Sequence, residues 1–163
     1  MIFIVLGTQK FQLNRLLKLI DDYISRDIIK ETVFAQIGNS TYEPENYQYV
    51  RFMSKEEFDA TVKKSDLLIT HSGVGSIITA LKADKAVVVY PRLKKYKEHV
   101  DDHQLDIARA FEKKNYLVCC YENDELSDKL ELARKTTFNK YVSQRENVVD
   151  LILGYIENEQ IEK

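Results

Sequence analysis

The feature that most constrains this chain is a series of short apolar runs, each stopped by a glycine or a polar turn. Ile2 to Leu6 ends at Gly7, Thr32 to Ile37 at Gly38, Leu67 to Thr70 at His71, and Ala86 to Tyr90 at Pro91. A strand that is apolar at successive positions must bury both of its faces. That happens in a parallel sheet covered by helices on either side. Tyr47 to Phe52 and Leu117 to Cys120 read as two further strands, and Asn39, Ser40, Pro44 and Asn46 mark a polar loop before the first of them.

Helical patterns separate these runs. Leu13, Leu16, Leu17 and Ile20 recur at helical spacing as far as about Ile24. Ser54 with Glu57 three residues on predicts a capping box for a helix to about Lys64. Helices are also expected from about Val74 to Lys82, from Asp102 or a neighbour through Ile107, Ala108 and Phe111, and from about Glu125 to Arg134. A last one, from Val142 to Ile156, carries the stripe Val148, Val149, Ile152 and Ile156, suited to packing on the sheet. Six strands mostly alternating with helices imply an α/β fold, a Rossmann-like, doubly wound parallel sheet with helices on both faces. In the commonest strand order, strands one and four are neighbours at the topological switch point, and ligands bind beyond their ends. That rule brings the turn Gly7-Thr8-Gln9 beside the turn that starts at His71.

Bulk properties narrow the classes. A length of 163 residues suits one domain, expected over 1–157 with a frayed tail at 158–163. A net charge of −2 gives no general reason for nucleic-acid binding. The apolar runs fall far short of the roughly 20 residues needed to cross a bilayer. The N-terminus lacks the basic segment and cleavage site of a signal peptide. Cys119 and Cys120 are adjacent on a strand, so they point to opposite faces and suit a reduced, cytoplasmic protein.

The chemistry concentrates between His71 and Gln104, which holds all three histidines, His71, His99 and His103. The turn His71-Ser72-Gly73-Val74-Gly75-Ser76 joins a strand to a helix start. Its glycines let a ligand approach backbone, and the free N–H groups and helix dipole favour an anion. Ser72 and Ser76 offer hydroxyl donors, and an imidazole at His71 could donate to a phosphate. The spacing is neither the dinucleotide G-x-G-x-x-G fingerprint nor a P-loop. Glu98-His99-Val100-Asp101-Asp102-His103-Gln104 supplies paired donors and acceptors suited to sugar hydroxyls. His99 and His103 stand four apart, but no further metal-ligand set is evident. The basic run from Arg92 to Lys97 reads as a solvated face that could meet phosphates, a membrane surface or a partner. Together the two segments suggest a nucleotide-sugar site.

Up to about residue 120 the chain resembles the single-domain glycosyltransferase subunits of bacterial capsule and exopolysaccharide synthesis. Those are related in turn to the catalytic subunit of the eukaryotic two-subunit UDP-N-acetylglucosamine transferase. The resemblance lies in Ile2-Phe3-Ile4-Val5-Leu6-Gly7-Thr8 with Phe11 and Leu16, in Gln36-Ile37-Gly38 with Tyr42 and Pro44, in the His71 to Ser76 turn, in Pro91-Arg92, and in Glu98 to Gln104. It implies the C-terminal, donor-binding half of a GT-B glycosyltransferase. By position, Gly73, Val74, Gly75 and Ser76 would hold the diphosphate with His71 and Ser72 at its edge, and Gly7 and Thr8 would form the opposing lip. His103 and Gln104 would contact the sugar, and Phe52 and Met53 would border the uracil. Many relatives carry Gly or Ala where Ser72 stands. Related transferases often have a ribose-binding carboxylate where this chain has Thr79, and Gly-x-Pro where it has Asp84-Lys85-Ala86, so either ribose recognition differs or the donor binds weakly without the partner.

The function implied is the donor-binding catalytic subunit of an inverting, UDP-sugar-dependent hexosyltransferase. It would need no metal or cofactor, the UDP-sugar being a substrate. A membrane-anchored partner subunit would bind a lipid-linked acceptor in capsule or exopolysaccharide synthesis, placing this chain at the cytoplasmic face of the cell membrane. Glu98 and His99 are the in-chain candidates for a general base, which is otherwise expected from the partner. The alternative is a non-catalytic nucleotide-sugar-binding or scaffolding subunit that activates a partner transferase.

Overall fold

The computed structural model describes residues 1–142. The helix expected from Val142 to Ile156 and the tail at 158–163 lie almost wholly outside the described residues. Strands β1 (Ile2–Val5), β2 (Val33–Gln36), β3 (Gln48–Val50), β4 (Leu67–Thr70), β5 (Ala86–Val89) and β6 (Val118–Cys119) form one sheet. Helices α1 (Asn14–Ser25), α2 (Lys55–Lys64), α3 (Val74–Lys82), α4 (His103–Lys113) and α5 (Leu126–Lys135) connect or flank them. A short 3-10 helix, Lys94–Tyr96, was not foreseen in the polar loop after β5.

All pairings are parallel and the strand order is β3-β2-β1-β4-β5-β6. The strands alternate their side chains between two cores, as the pleat requires. Ile2, Ile4, Leu67, Ile69 and Val88 pack with Leu16, Leu17 and Ile20 of α1 and Leu126 and Leu130 of α5. Phe3, Val5, Leu68, Val87 and Val89 pack on the other face with Val62 of α2, Ile77 and Leu81 of α3, and Ala108 and Phe111 of α4. Burial on both faces is why these strands read as unbroken apolar runs. Cys119 and Cys120 divide between the same two cores, both buried and free.

Register places the crevice. Val5 is level with Gln36 on one side and Thr70 on the other, and Thr70 with Val89. The loops after β1, β2, β4 and β5 therefore leave the sheet at one edge, on either side of the switch point between β1 and β4. The expected capping box forms: Ser54 Oγ accepts from the Glu57 N–H at 3.2 Å, and Glu57 Oε2 accepts from the Ser54 N–H at 2.8 Å.

The loops after β1 and β2 touch through backbone. Gly38 sits at φ 55°, and a Cβ there would lie 2.5 Å from the Gly7 carbonyl oxygen. Asn39 Nδ2 reinforces the contact, donating to the carbonyls of Thr8 at 3.3 Å and Gln9 at 3.0 Å. Gly38→Ala should therefore lower unfolding stability by about 2 kcal/mol, from left-handed strain plus overpacking against backbone. Urea denaturation measures this directly, and an unchanged midpoint would refute the contact.

Candidate functional site

At the switch point His71 follows β4 and is only 6% exposed. Its ring is wedged between two glycines. A Cβ on Gly7, at φ 70°, would meet His71 Cε1 at 2.7 Å, and one on Gly73 would meet Nε2 at 2.7 Å. His71 Nδ1 lies 3.3 Å from the Val5 carbonyl oxygen, so the proton is assigned to Nδ1 and Nε2 carries the lone pair. Burial, with the Arg92 charge, brings its pKa down to about 3. In that tautomer the ring's one proton faces the Val5 carbonyl. In the described structure the ring spaces the two turns that form the crevice.

The start of α3 is open. Gly73 is its N-cap, no side chain caps it, and no acidic residue lies in its first turn. The first-turn N–H groups and the positive end of the dipole are thus left for an anion. Among the described residues a Cβ at Gly75 would meet nothing within 4 Å, so the space outside Gly75 is open. Val74 and Ser76 are half-buried on the same turn.

Ser72 has φ 76°, a left-handed conformation that a serine adopts at a cost. Its buried Oγ donates to the Gln104 carbonyl at 2.7 Å. The hydroxyl is thereby committed to tying the turn to α4, which corrects its assignment as an anion donor. Thr79 Oγ1 donates to the Gly75 carbonyl at 2.9 Å, back along its own helix.

The polar loop after β5 divides in two. Glu98 is 1% exposed and holds the loop: it accepts from Arg15 Nε at 3.1 Å and Nη2 at 3.0 Å, and from the Leu93 N–H at 3.0 Å. Both oxygens are occupied and buried, so Glu98 is corrected from candidate base to anchor. His99 is half-buried. It packs on Phe11 with ring centroids 4.6 Å apart and lies 3.0 Å through Nδ1 from Asp101 Oδ1. Burial opposes ionisation of Asp101, but the His103 N–H and His99 together hold its carboxyl below the ordinary value. The Asp101 carboxylate orients the ring, and the Asp101 N–H also approaches Nδ1, at 3.4 Å.

His103 and Gln104 open α4 but face apart. The His103 side chain is 70% exposed. Gln104 is buried, with Oε1 accepting from the Arg92 N–H at 3.3 Å. Phe52 is exposed beyond β3, two strands from β1, whereas Met53 packs partly into the core. The structure thus brings Gly7, His71, Ser72, Gly73 and Gln104 into contact, with Thr8 exposed on the lip, and leaves Phe52 and Met53 at the far side. Among the described residues no group of three or more His, Cys, Asp or Glu gathers as a metal site. A cavity of about 630 Å³ lined by Asp66, Lys85, Phe138 and Tyr141 opens at the opposite edge of β4 and β5 and shares no residue with the crevice.

Sequence reasoning named Gly38, Asn39 and Arg92 without the contacts they make here, and missed Asp101 as partner of His99. The basic run was read as a solvated face, yet Arg92 is 0% exposed. Its flanks, Pro91 and Leu93, were the available signal. Arg15 was missed too: its guanidinium lies between the rings of Tyr90 and Tyr96, 4.4 and 4.7 Å from their centroids.

Residues 1–151 match the family described as glycosyltransferase family 28 C-terminal domain. Over 90 residues the chain is 31% identical to the UDP-N-acetylglucosamine transferase subunit ALG13 of Homo sapiens, covering 52% of this chain and 8% of that protein. Over 85 residues it is 33% identical to the subunit of the same name from Cryptococcus neoformans var. neoformans, covering 50% and 40%. The chain thus spans less than half the length of these curated relatives. Its fold is similar to that of the crystallised glycotransferase of kitacinnamycin, with TM-score 0.59 at 16% identity, covering 81% of this chain and 33% of the other. The parallel sheet with its helices is thus that of a GT-B C-terminal domain.

Two outcomes follow from the geometry. His71 binds a proton in the unfolded chain below its ordinary value of 6.5 but not in the folded one until about pH 3, so stability present above 6.5 is lost as pH falls between the two. Lowering pH from 7 to 5 should cost the wild type about 2 kcal/mol more than His71→Gln in paired urea titrations. Ser72→Ala, which keeps the strain and loses the bond, should cost about 1 kcal/mol, and Ser72→Gly less.

Proposed function

We propose that this chain, which belongs to the glycosyltransferase family 28 C-terminal domain family, is the donor-binding catalytic subunit of an inverting UDP-sugar-dependent hexosyltransferase. The carrying observation is the open start of α3: an uncapped first turn without acidic residues, and a glycine at position 75 whose Cβ would meet nothing within 4 Å among the described residues. A diphosphate answers both its N–H groups and its dipole. That the relatives are UDP-N-acetylglucosamine transferase subunits supports a UDP-sugar donor and a second subunit. The resemblance of motifs supports a lipid-linked acceptor in capsule or exopolysaccharide synthesis. On this reading the chain works at the cytoplasmic membrane face through its membrane-anchored partner. Among the described residues no helix is long and apolar enough to cross a membrane.

In the proposed reaction the acceptor oxygen bonds to the anomeric carbon while the bond from that carbon to the diphosphate breaks. UDP leaves with the electron pair, and the acceptor proton passes to a base. The α3 N–H groups stabilise the charge that grows on the departing diphosphate, a metal-independent arrangement. Gln104, with Oε1 committed to the Arg92 N–H, keeps its amide N–H groups as donors for a sugar hydroxyl. Exposed His103 lies beside it. His99, oriented by Asp101, is the in-chain base, and a base on the partner is the alternative source.

Gly75→Asp tests the diphosphate site. With no protein near the new Cβ the variant should fold normally, while UDP affinity should fall at least about tenfold through like-charge repulsion. Unchanged affinity in calorimetric titration would sink the assignment. Activity of the chain co-expressed with its partner, against a panel of UDP-sugars, tests catalysis. His103→Ala and Gln104→Ala should each lower turnover, and full turnover by both would favour a non-catalytic subunit.

A further inference from the structure

Arg92 lies just beyond β5, and its guanidinium is completely buried. Nη2 donates to the carbonyl of Leu6 at 2.8 Å and of Phe11 at 3.0 Å, the two ends of the loop that carries Gly7 to Lys10. Nε and Nη1 have no hydrogen-bond partner among the described residues. Removing a guanidinium from water and leaving its donors unmet is strongly unfavourable unless an anion answers the charge.

The surrounding charges do not balance. Glu98 is the carboxylate that acts on Arg92, but its oxygens are already taken by Arg15 and the Leu93 N–H. The group Arg15, Glu98 and Arg92 therefore carries two positive charges against one negative. Burial lowers the Arg92 pKa only to about 10, so it stays protonated at neutral pH. Its field reaches the crevice: it is the charged neighbour that most depresses His71, whose ring lies against Gly7 and Gly73.

Resting on the reading of the crevice as a donor-diphosphate site, we propose that Arg92 is a fixed, buried counter-charge for the donor's diphosphate, acting across the Gly7 loop without touching it. The excess positive charge left by the Arg15, Glu98 and Arg92 group is met when the diphosphate binds. It also favours the further negative charge that UDP takes on as it departs. A charge held in low-dielectric surroundings needs no rearrangement during the reaction. Arg92 is thus a positioning and charge-supplying residue, distinct from the α3 N–H groups that face the ligand.

The test compares binding of UDP, pyrophosphate and uridine to the full chain, Arg92→Gln and Arg92→Lys. Glutamine keeps an N–H donor for the Leu6 and Phe11 carbonyls and removes the charge. R92Q should weaken UDP and pyrophosphate about tenfold and leave uridine unchanged. R92K, which retains the charge, should stay within about threefold of wild type for all three. Equal loss of uridine and UDP in R92Q would show a merely structural loop clamp and overturn the proposal, as would UDP binding of wild-type strength. If R92Q does not fold, R92K decides: retained UDP affinity supports the charge role, and a tenfold loss overturns it. Wild-type protein that binds neither UDP nor pyrophosphate would overturn the donor-site reading itself, a different result from a variant that binds as well as wild type.

Discussion

The Val5 carbonyl oxygen is the joint on which the crevice depends. It terminates β1 and receives both the Thr70 hydroxyl at 3.0 Å and the His71 ring nitrogen. These contacts hold the ends of β1 and β4 level, just where the chain's connections diverge to opposite sides of the sheet. With the ring fixed there, Gly7 and Gly73 close on its two sides and Gly38 closes on Gly7. Turns from three strands are thereby held in contact without a long side chain intervening. What remains open is the start of α3.

A second layer, built from charge, lies behind these turns. Arg92 ties the two ends of the loop after β1, Glu98 anchors the loop after β5, and Arg15 reaches from α1 to Glu98, Tyr90 and the Pro91 carbonyl. Ser72 and Gln104 link the α3 turn to the start of α4. Most of these links join elements far apart in sequence, so they tie the crevice walls to one another. On the proposed reading, this partly uncompensated positive surround suits a diphosphate that gains negative charge as it leaves.

Much of this was legible in the sequence. The strands, helices and Ser54 capping box follow from apolar periodicity and local capping chemistry, which act over a few residues. The facing turns at Gly7 and His71 follow from a topological rule that needs only strand order. Side-chain roles in the crevice were harder. Glu98 and Ser72 looked like ligand-facing groups because acidic and hydroxyl side chains are usually exposed, and Arg92 looked solvated because it opens a run that holds Lys94, Lys95 and Lys97. Burial and hydrogen-bond commitment reverse each assignment, and both depend on contacts across tens of residues.

The sequence by itself determined a parallel α/β sheet, its glycine-ended strands and the region where ligand chemistry concentrates, because hydrophobic burial and helix capping are written in local spacing. Only the tertiary structure decided which polar groups are free. Glu98 meets Arg15 across 83 positions and Arg92 meets Leu6 across 86. No local pattern encodes such pairings, since they exist only once the sheet has set strand ends level. Whether a charged side chain faces a ligand or holds a loop is settled by the partner it finds in the fold.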